Sequence, residues 1–222
     1  MIFAKIDFIN LLPFYVYIKK NLPSSRQKQI IEYKKSYPSK INKKFKKRQI
    51  DGAFISSIKS KNCTCSDIGI IAQNEVLSVL ALKGEYQKDF QSDTSNVLAQ
   101  ILNINGEIII GDKALIYYFQ NKESNDFKDL AALWNKEYKL PFVFARLCFN
   151  KYDETFLKTS EKFVQYKVKI PQYILKKYAK RSGLSSKQIL FYLEKITYSI
   201  NHKEKLALKK FFILAKENNG NF

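Results

Sequence analysis

The stretch KIDFINLLPFYVYIKK (residues 5–20) begins as a buried strand and then sets Asn10 and Pro13 where the apolar run should continue. Proline suits the first turn of a helix, where its missing N–H costs nothing. The pattern therefore reads as a strand, a polar strand end and a helix start. Short apolar runs alternate with helical patterns through the first two thirds of the chain, the usual mark of strand-helix units around a largely parallel sheet. Predicted strands are 2–9, 29–33, 53–55, 76–82, 107–110 and 142–148, most of them rich in β-branched or aromatic residues. Ser39 is read as the cap of a helix through Lys47, and Asp129 as the cap of LAALWNKEY.

From about Lys151 the texture changes to apolar residues at three and four spacing, which predicts a helical tail. Pro171 and Gly183 punctuate it, and Ser185 stands as a cap ahead of a buried stripe through Ile189, Leu193 and Ile196. The aromatic residues of that tail read as core.

The chain has 222 residues, enough for one large domain or two small lobes, and is 45% hydrophobic, which excludes a disordered class. Lys and Arg number 39 against 20 Asp and Glu, a formal charge of +19 that favours anionic partners and solubility. The three cysteines, Cys63, Cys65 and Cys148, lack the second pair or neighbouring histidines of a zinc site, so no metal is expected. With no signal-peptide pattern and no long apolar run, the expectation is a cytoplasmic protein with reduced thiols and no membrane partner.

His202 is the sole histidine and lies in the lysine-rich tail, so a hydrolytic triad is not supported. Seven glycines form neither a Walker loop nor a dinucleotide fingerprint. What remains is a set of small polar groups at strand ends: Asn10, Ser56, Ser57, Ser78, Thr94, Ser95 and Asn96, with Asp112 after IIIG. In open α/β sheets ligands bind outside the carboxyl ends of strands, where hydroxyls, amides and helix N-termini can hold an anion.

The succession KIDFINLLPFY, YPSKINKKFKKRQIDGAFISSI, VLSVLAL, DTSNVLAQIL, IIIGDKAL and DLAALWNKEYKLPFVFA, spanning residues 5–145, resembles the chorismate dehydratases of the futalosine route to menaquinone. The resemblance implies an α/β type II periplasmic-binding-protein-like fold: two lobes, about 1–84 plus 146–222 and 85–145, a central cleft, and the helical C-terminal tail. It implies a hydro-lyase that converts chorismate to 3-[(1-carboxyvinyl)oxy]benzoate and water without a cofactor. Asn10 falls on the family's cleft asparagine and would be catalytic. Ser56, Ser57, Ser78, Thr94, Ser95, Asn96 and Asp112 would bind substrate. Ile9 stands where the family has leucine, and Asp93 where many relatives carry arginine. Two alternatives stand beside it: a non-catalytic binder of a small carboxylate in the same cleft, and a nucleic-acid binder, which KSYPSKINKKFKKR suggests but no recognisable motif supports. The expected general base is the substrate's own enolpyruvyl carboxylate, with Asp112 as the protein alternative.

Overall fold

In the computed structural model, which describes residues 2–22, 25, 35–151 and 154–218, the chain forms two sheets. The larger joins β1 (Phe3–Ala4), β2 (Gly52–Ser56), β3 (Cys65–Ala72), β7 (Phe142–Phe149) and β8 (Ile196–Ser199) in the order β1-β2-β7-β3-β8. The smaller joins β4 (Val79–Leu82), β5 (Glu107–Ile110) and β6 (Phe127–Asp129) in the order β5-β4-β6. Within these sheets β1 and β2 pair in parallel and every other pairing is antiparallel. The expected largely parallel sheet is thus corrected. The reason is topological: β7 returns from the smaller sheet and inserts between β2 and β3, running opposite to both.

The strands predicted at 53–55, 107–110 and 142–148 are present as β2, β5 and β7. That at 29–33 lies outside the described residues. The first contracts to Phe3–Ala4, because Ile9–Leu11 winds into a 3-10 turn that feeds α1 (Leu12–Asn21), with Pro13 in its first turn. The strand at 76–82 loses its first three residues: the amides of Val76 and Leu77 donate to Asp129 Oδ2 at 2.9 and 2.6 Å, and Leu77 sits at φ +59°. In place of a ladder, these amides are satisfied by one half-buried carboxylate.

Three strands went unpredicted. β3 has register shifts on both partners, and Gly69 lets it approach β7 so closely that a Cβ there would stand 2.7 Å from the Ala145 carbonyl. β6 is three residues long. β8 lies hidden in the tail, where Ile196 looked like the next turn of a helical stripe; the helix stops at Leu193 and Ile196 instead opens an edge strand.

The remaining helices are α2 (Pro38–Lys46), α3 (Asp93–Ile101), α4 (Gly111–Asn121), α5 (Leu130–Tyr138), α6 (Glu154–Phe163), α7 (Gln172–Ser182), α8 (Ser186–Leu193) and α9 (His202–Asn218). Asp129 caps α5 as expected, its Oδ1 accepting from the amides of Ala131 and Ala132, a contact worth about 1 kcal/mol. Ser185 and Gln188 form a capping box on α8. Ser39 does not cap α2. Tyr37 occupies that position, and the Ser39 hydroxyl donates instead to the Phe90 carbonyl at 2.8 Å.

The core is aromatic. Phe14 meets Phe54 and Phe163 edge to face, and Trp134 packs against Tyr138, Phe142 and Phe211 while its Nε1 donates to the Pro141 carbonyl at 3.1 Å. Burial of each such ring contributes roughly 1.5–3 kcal/mol. The expected lobe boundary near 84 falls just after β4, a strand of the smaller sheet, and the one near 145 falls inside β7.

Cys65 and Cys148 are register partners on β3 and β7 and are joined as a disulfide, while Cys63 is free. This corrects the expectation of reduced thiols: the strand pairing, invisible in the spacing of the cysteines, sets two of them face to face.

Candidate active site

A cavity of about 50 Å³ lies between the two sheets. From the larger sheet's side it is lined by Phe8, Asn10, Ser56, Ile70 and Phe144, and from the smaller sheet's side by Ser78, Ser92, Ser95, Ile110 and Gly111, among others. No charged side chain is among the lining residues. Its polar groups are hydroxyls and an amide, set around the N-terminal ends of α3 and α4, where the helix dipole favours an anion.

The backbone explains the convergence. Gly111 opens α4 at φ +66°, and a Cβ there would strike the Phe8 ring at 2.8 Å, so this close approach needs glycine. The Gly111 amide donates to the Ser78 carbonyl at 2.8 Å, which ties the two strand ends of the smaller sheet together. Ser92 caps α3: its oxygen accepts from the Ser95 amide at 3.1 Å, and its hydroxyl donates to Ser95 Oγ at 2.8 Å. Asn10 lies in the 3-10 turn before α1 with its Oδ1 buried and without a hydrogen-bond partner.

Four of the expected residues, Asn10, Ser56, Ser78 and Ser95, come together on this cavity. Ser57, Thr94, Asn96 and Asp112 are not among its lining residues. The Ser57 hydroxyl donates to the Val143 carbonyl at 2.6 Å, and Thr94 Oγ1 accepts from the Ile58 amide at 3.2 Å. The Asn96 side chain closes a loop onto the backbone of Asp89. Asp112 has both oxygens engaged, Oδ1 by the Ile9 amide at 3.0 Å and Oδ2 by Arg181 at 2.5 Å. Burial pushes its carboxyl above the usual range, against the pull of the Ile9 amide and Arg181. Asp7, which shares Arg181, behaves oppositely: burial raises it, but Lys5, the Tyr178 hydroxyl and Arg181 together bring it below the ordinary value.

Asp93, the first residue of α3, is not among the lining residues. The Asn42 amide donates both to Asp93 Oδ2 at 2.9 Å and to Ser56 Oγ at 2.8 Å, and Asn42 Oδ1 accepts from the Ser56 amide. Together with the bonds from Ser39 to Phe90 and from Ile58 to Thr94, this contact links the two sides of the cavity.

The tail also reaches the site, which its sequence did not announce. The Tyr198 hydroxyl from β8 donates to the Asn10 carbonyl, and the fully buried Tyr192 hydroxyl from α8 lies 2.7 Å from Ser78 Oγ. Ser92 could have been found, since it precedes a helix in the pattern of a cap. The two tyrosines sit in an aromatic stripe with no local mark separating site from core.

Among the described residues, no group of three or more His, Cys, Asp or Glu is arranged to hold a metal, and no helix is long and apolar enough to cross a membrane.

Comparison with known proteins agrees with this architecture. Residues 72–217 match the menaquinone biosynthesis family. A chorismate dehydratase from Campylobacter jejuni subsp. jejuni is 46% identical over 215 residues, covering 95% of this chain and 96% of that protein. Among solved structures, an Archaeoglobus fulgidus protein aligns with TM-score 0.67 at 14% identity, covering 97% of this chain and 96% of its own. A Candida albicans gene product described as having the generic periplasmic binding protein fold aligns with TM-score 0.53 at 8% identity, covering 97% and 89%. These last two likenesses show the fold, and the extent and identity of the first relative show more: the chain belongs to the chorismate dehydratase family of menaquinone biosynthesis.

Proposed function

We propose that the chain dehydrates chorismate to 3-[(1-carboxyvinyl)oxy]benzoate in menaquinone biosynthesis, as a carbon–oxygen hydro-lyase that needs no cofactor. The observation that carries this reading is the cavity between the two sheets, where Asn10, Ser56, Ser78 and Ser95 converge with no charged side chain among the lining residues, in a chain so similar to a chorismate dehydratase. The reading keeps two lobes, about 1–84 plus 146–222 and 85–145.

Dehydration removes the proton at C3 of the diene ring and expels the hydroxyl at C4, and the aromatic product supplies the driving force. Negative charge that develops at C3 spreads through the diene to the ring carboxylate. Neutral donors fixed around that carboxylate stabilise the charge as it grows. Ser56 and Ser95, near the start of α3, suit one carboxylate; Asn10 and Ser78, near the start of α4, suit the other end of the substrate. Because no carboxylate or imidazole lines the cavity, the substrate's enolpyruvyl carboxylate is our assignment for the base. It takes the C3 proton and returns it to the departing hydroxide as water. Most of the rate enhancement then comes from positioning.

The reading includes a cytoplasmic location, which fits an enzyme acting on a small metabolite; the Cys65–Cys148 disulfide pulls against it, since such bonds are normally kept reduced there.

The test is incubation of purified protein with chorismate alone, followed by mass spectrometry. Loss of one water with the three-carbon side chain retained is expected. Release of pyruvate or a mass-neutral rearrangement would indicate a different reaction, and unchanged chorismate would leave the non-catalytic carboxylate binder.

A further inference from the structure

We propose that Tyr192 is a positioning residue of this site: its phenol fixes the direction of the Ser78 hydroxyl, so that the Ser78 proton points into the cavity. The inference rests on the dehydratase reading and deepens it.

Three observations converge. The Tyr192 and Ser78 oxygens are 2.7 Å apart, and Tyr192 is 1% exposed, so no bulk water competes for its proton. Burial holds the phenol well above its ordinary pKa, so it keeps its proton. Asn10 Oδ1 is buried without any hydrogen-bond partner, so the phenol proton does not go there.

The direction of the pair follows. Tyr192 stays protonated, its proton does not go to Asn10 Oδ1, and Ser78 Oγ is the acceptor within reach. The Ser78 hydroxyl, with its lone pair engaged by the phenol, turns its own proton toward the cavity it lines. The chain runs from the phenol to the Ser78 hydroxyl and on to a ligand oxygen. Each bond in such a series polarises the next. Tyr192 itself does not line the cavity, so it acts through Ser78. The Gly111 amide on the Ser78 carbonyl fixes the main chain, leaving the hydroxyl rotor as the freedom for Tyr192 to remove.

The experiment is a double-mutant cycle on the full chain: Tyr192→Phe, Ser78→Ala and both together, with kcat and KM for chorismate and thermal unfolding measured for each. Tyr192→Phe keeps the ring and should lower kcat about tenfold with KM changed by less than about twofold. In the Ser78→Ala background the same change should alter kcat by less than about twofold, because the group it orients is gone. A purely structural role predicts equal losses in both backgrounds, and that result, or an unchanged kcat for Tyr192→Phe, overturns the proposal. Should Tyr192→Phe fail to fold, 3,5-difluorotyrosine placed at 192 preserves the hydroxyl and the fit while making the phenol a stronger donor; kcat unchanged there also overturns it. Wild-type protein that leaves chorismate intact defeats the dehydratase reading and this proposal together, whereas an active wild type with additive variants defeats this proposal alone.

Discussion

The Tyr198 hydroxyl donates to the Asn10 carbonyl at 2.5 Å, joining residues 188 positions apart in the chain. The main chain at Asn10 is therefore held from β8, independently of its side chain. Asn10→Ala deletes the amide and leaves that anchor in place. We expect kcat on chorismate to fall at least about tenfold with little change in melting temperature. Steady-state kinetics beside a thermal melt check this, and a near-normal kcat removes Asn10 from the chemistry.

Asp112→Asn separates the two candidates for the base. The carboxylate is committed to the Ile9 amide and to Arg181, so the substitution should weaken the fold by about 1–3 kcal/mol. Turnover should stay within about tenfold of wild type. A folded variant with no measurable activity would instead make Asp112 the base.

Asp129 gives a pH signature. Burial pushes its carboxyl up to about 6, against four backbone amides that pull it down. The folded state therefore holds this proton more tightly than the unfolded chain, and the contribution to stability declines as pH rises from about 4 to 6. Over that window the group should remove roughly 3 kcal/mol. Asp129→Asn abolishes the slope while costing stability at every pH, because Nδ2 cannot accept from two of those amides. Denaturant melts of both proteins at pH 4, 5, 6 and 7 compare the slopes; parallel curves would sink the assignment.

The cysteines offer a simple count. Denatured without reductant, the protein should titrate one thiol, Cys63, and after reduction all three. Three thiols before reduction would return Cys65 and Cys148 to the reduced state.

Much of the fold was readable where one residue type had one physical use. Pro13 in the first turn of α1, Asp129 capping α5 and the Ser185–Gln188 box on α8 are local devices, complete within a few residues. Sheet direction was not readable, because it depends on where β7 inserts, and nothing in residues 142–149 names its neighbours. The same division runs through the site. Asn10, Ser56, Ser78 and Ser95 stood at strand and helix ends, where open sheets gather ligands, but Ser57 and Thr94 stood there too and turned to backbone partners instead. Tyr192 and Tyr198 arrive from a distant part of the chain, so only the folded molecule reveals them.

A formal charge of +19 and a cavity lined by neutral groups divide labour between approach and grip. The lysines shape a long-range field that draws in an anion and fades with added salt. Fixed dipoles take over once the anion is inside. Individual surface lysines are accordingly interchangeable: neutralising several of them should slow capture and lower kcat/KM, while the maximal rate stays where the buried hydroxyls set it.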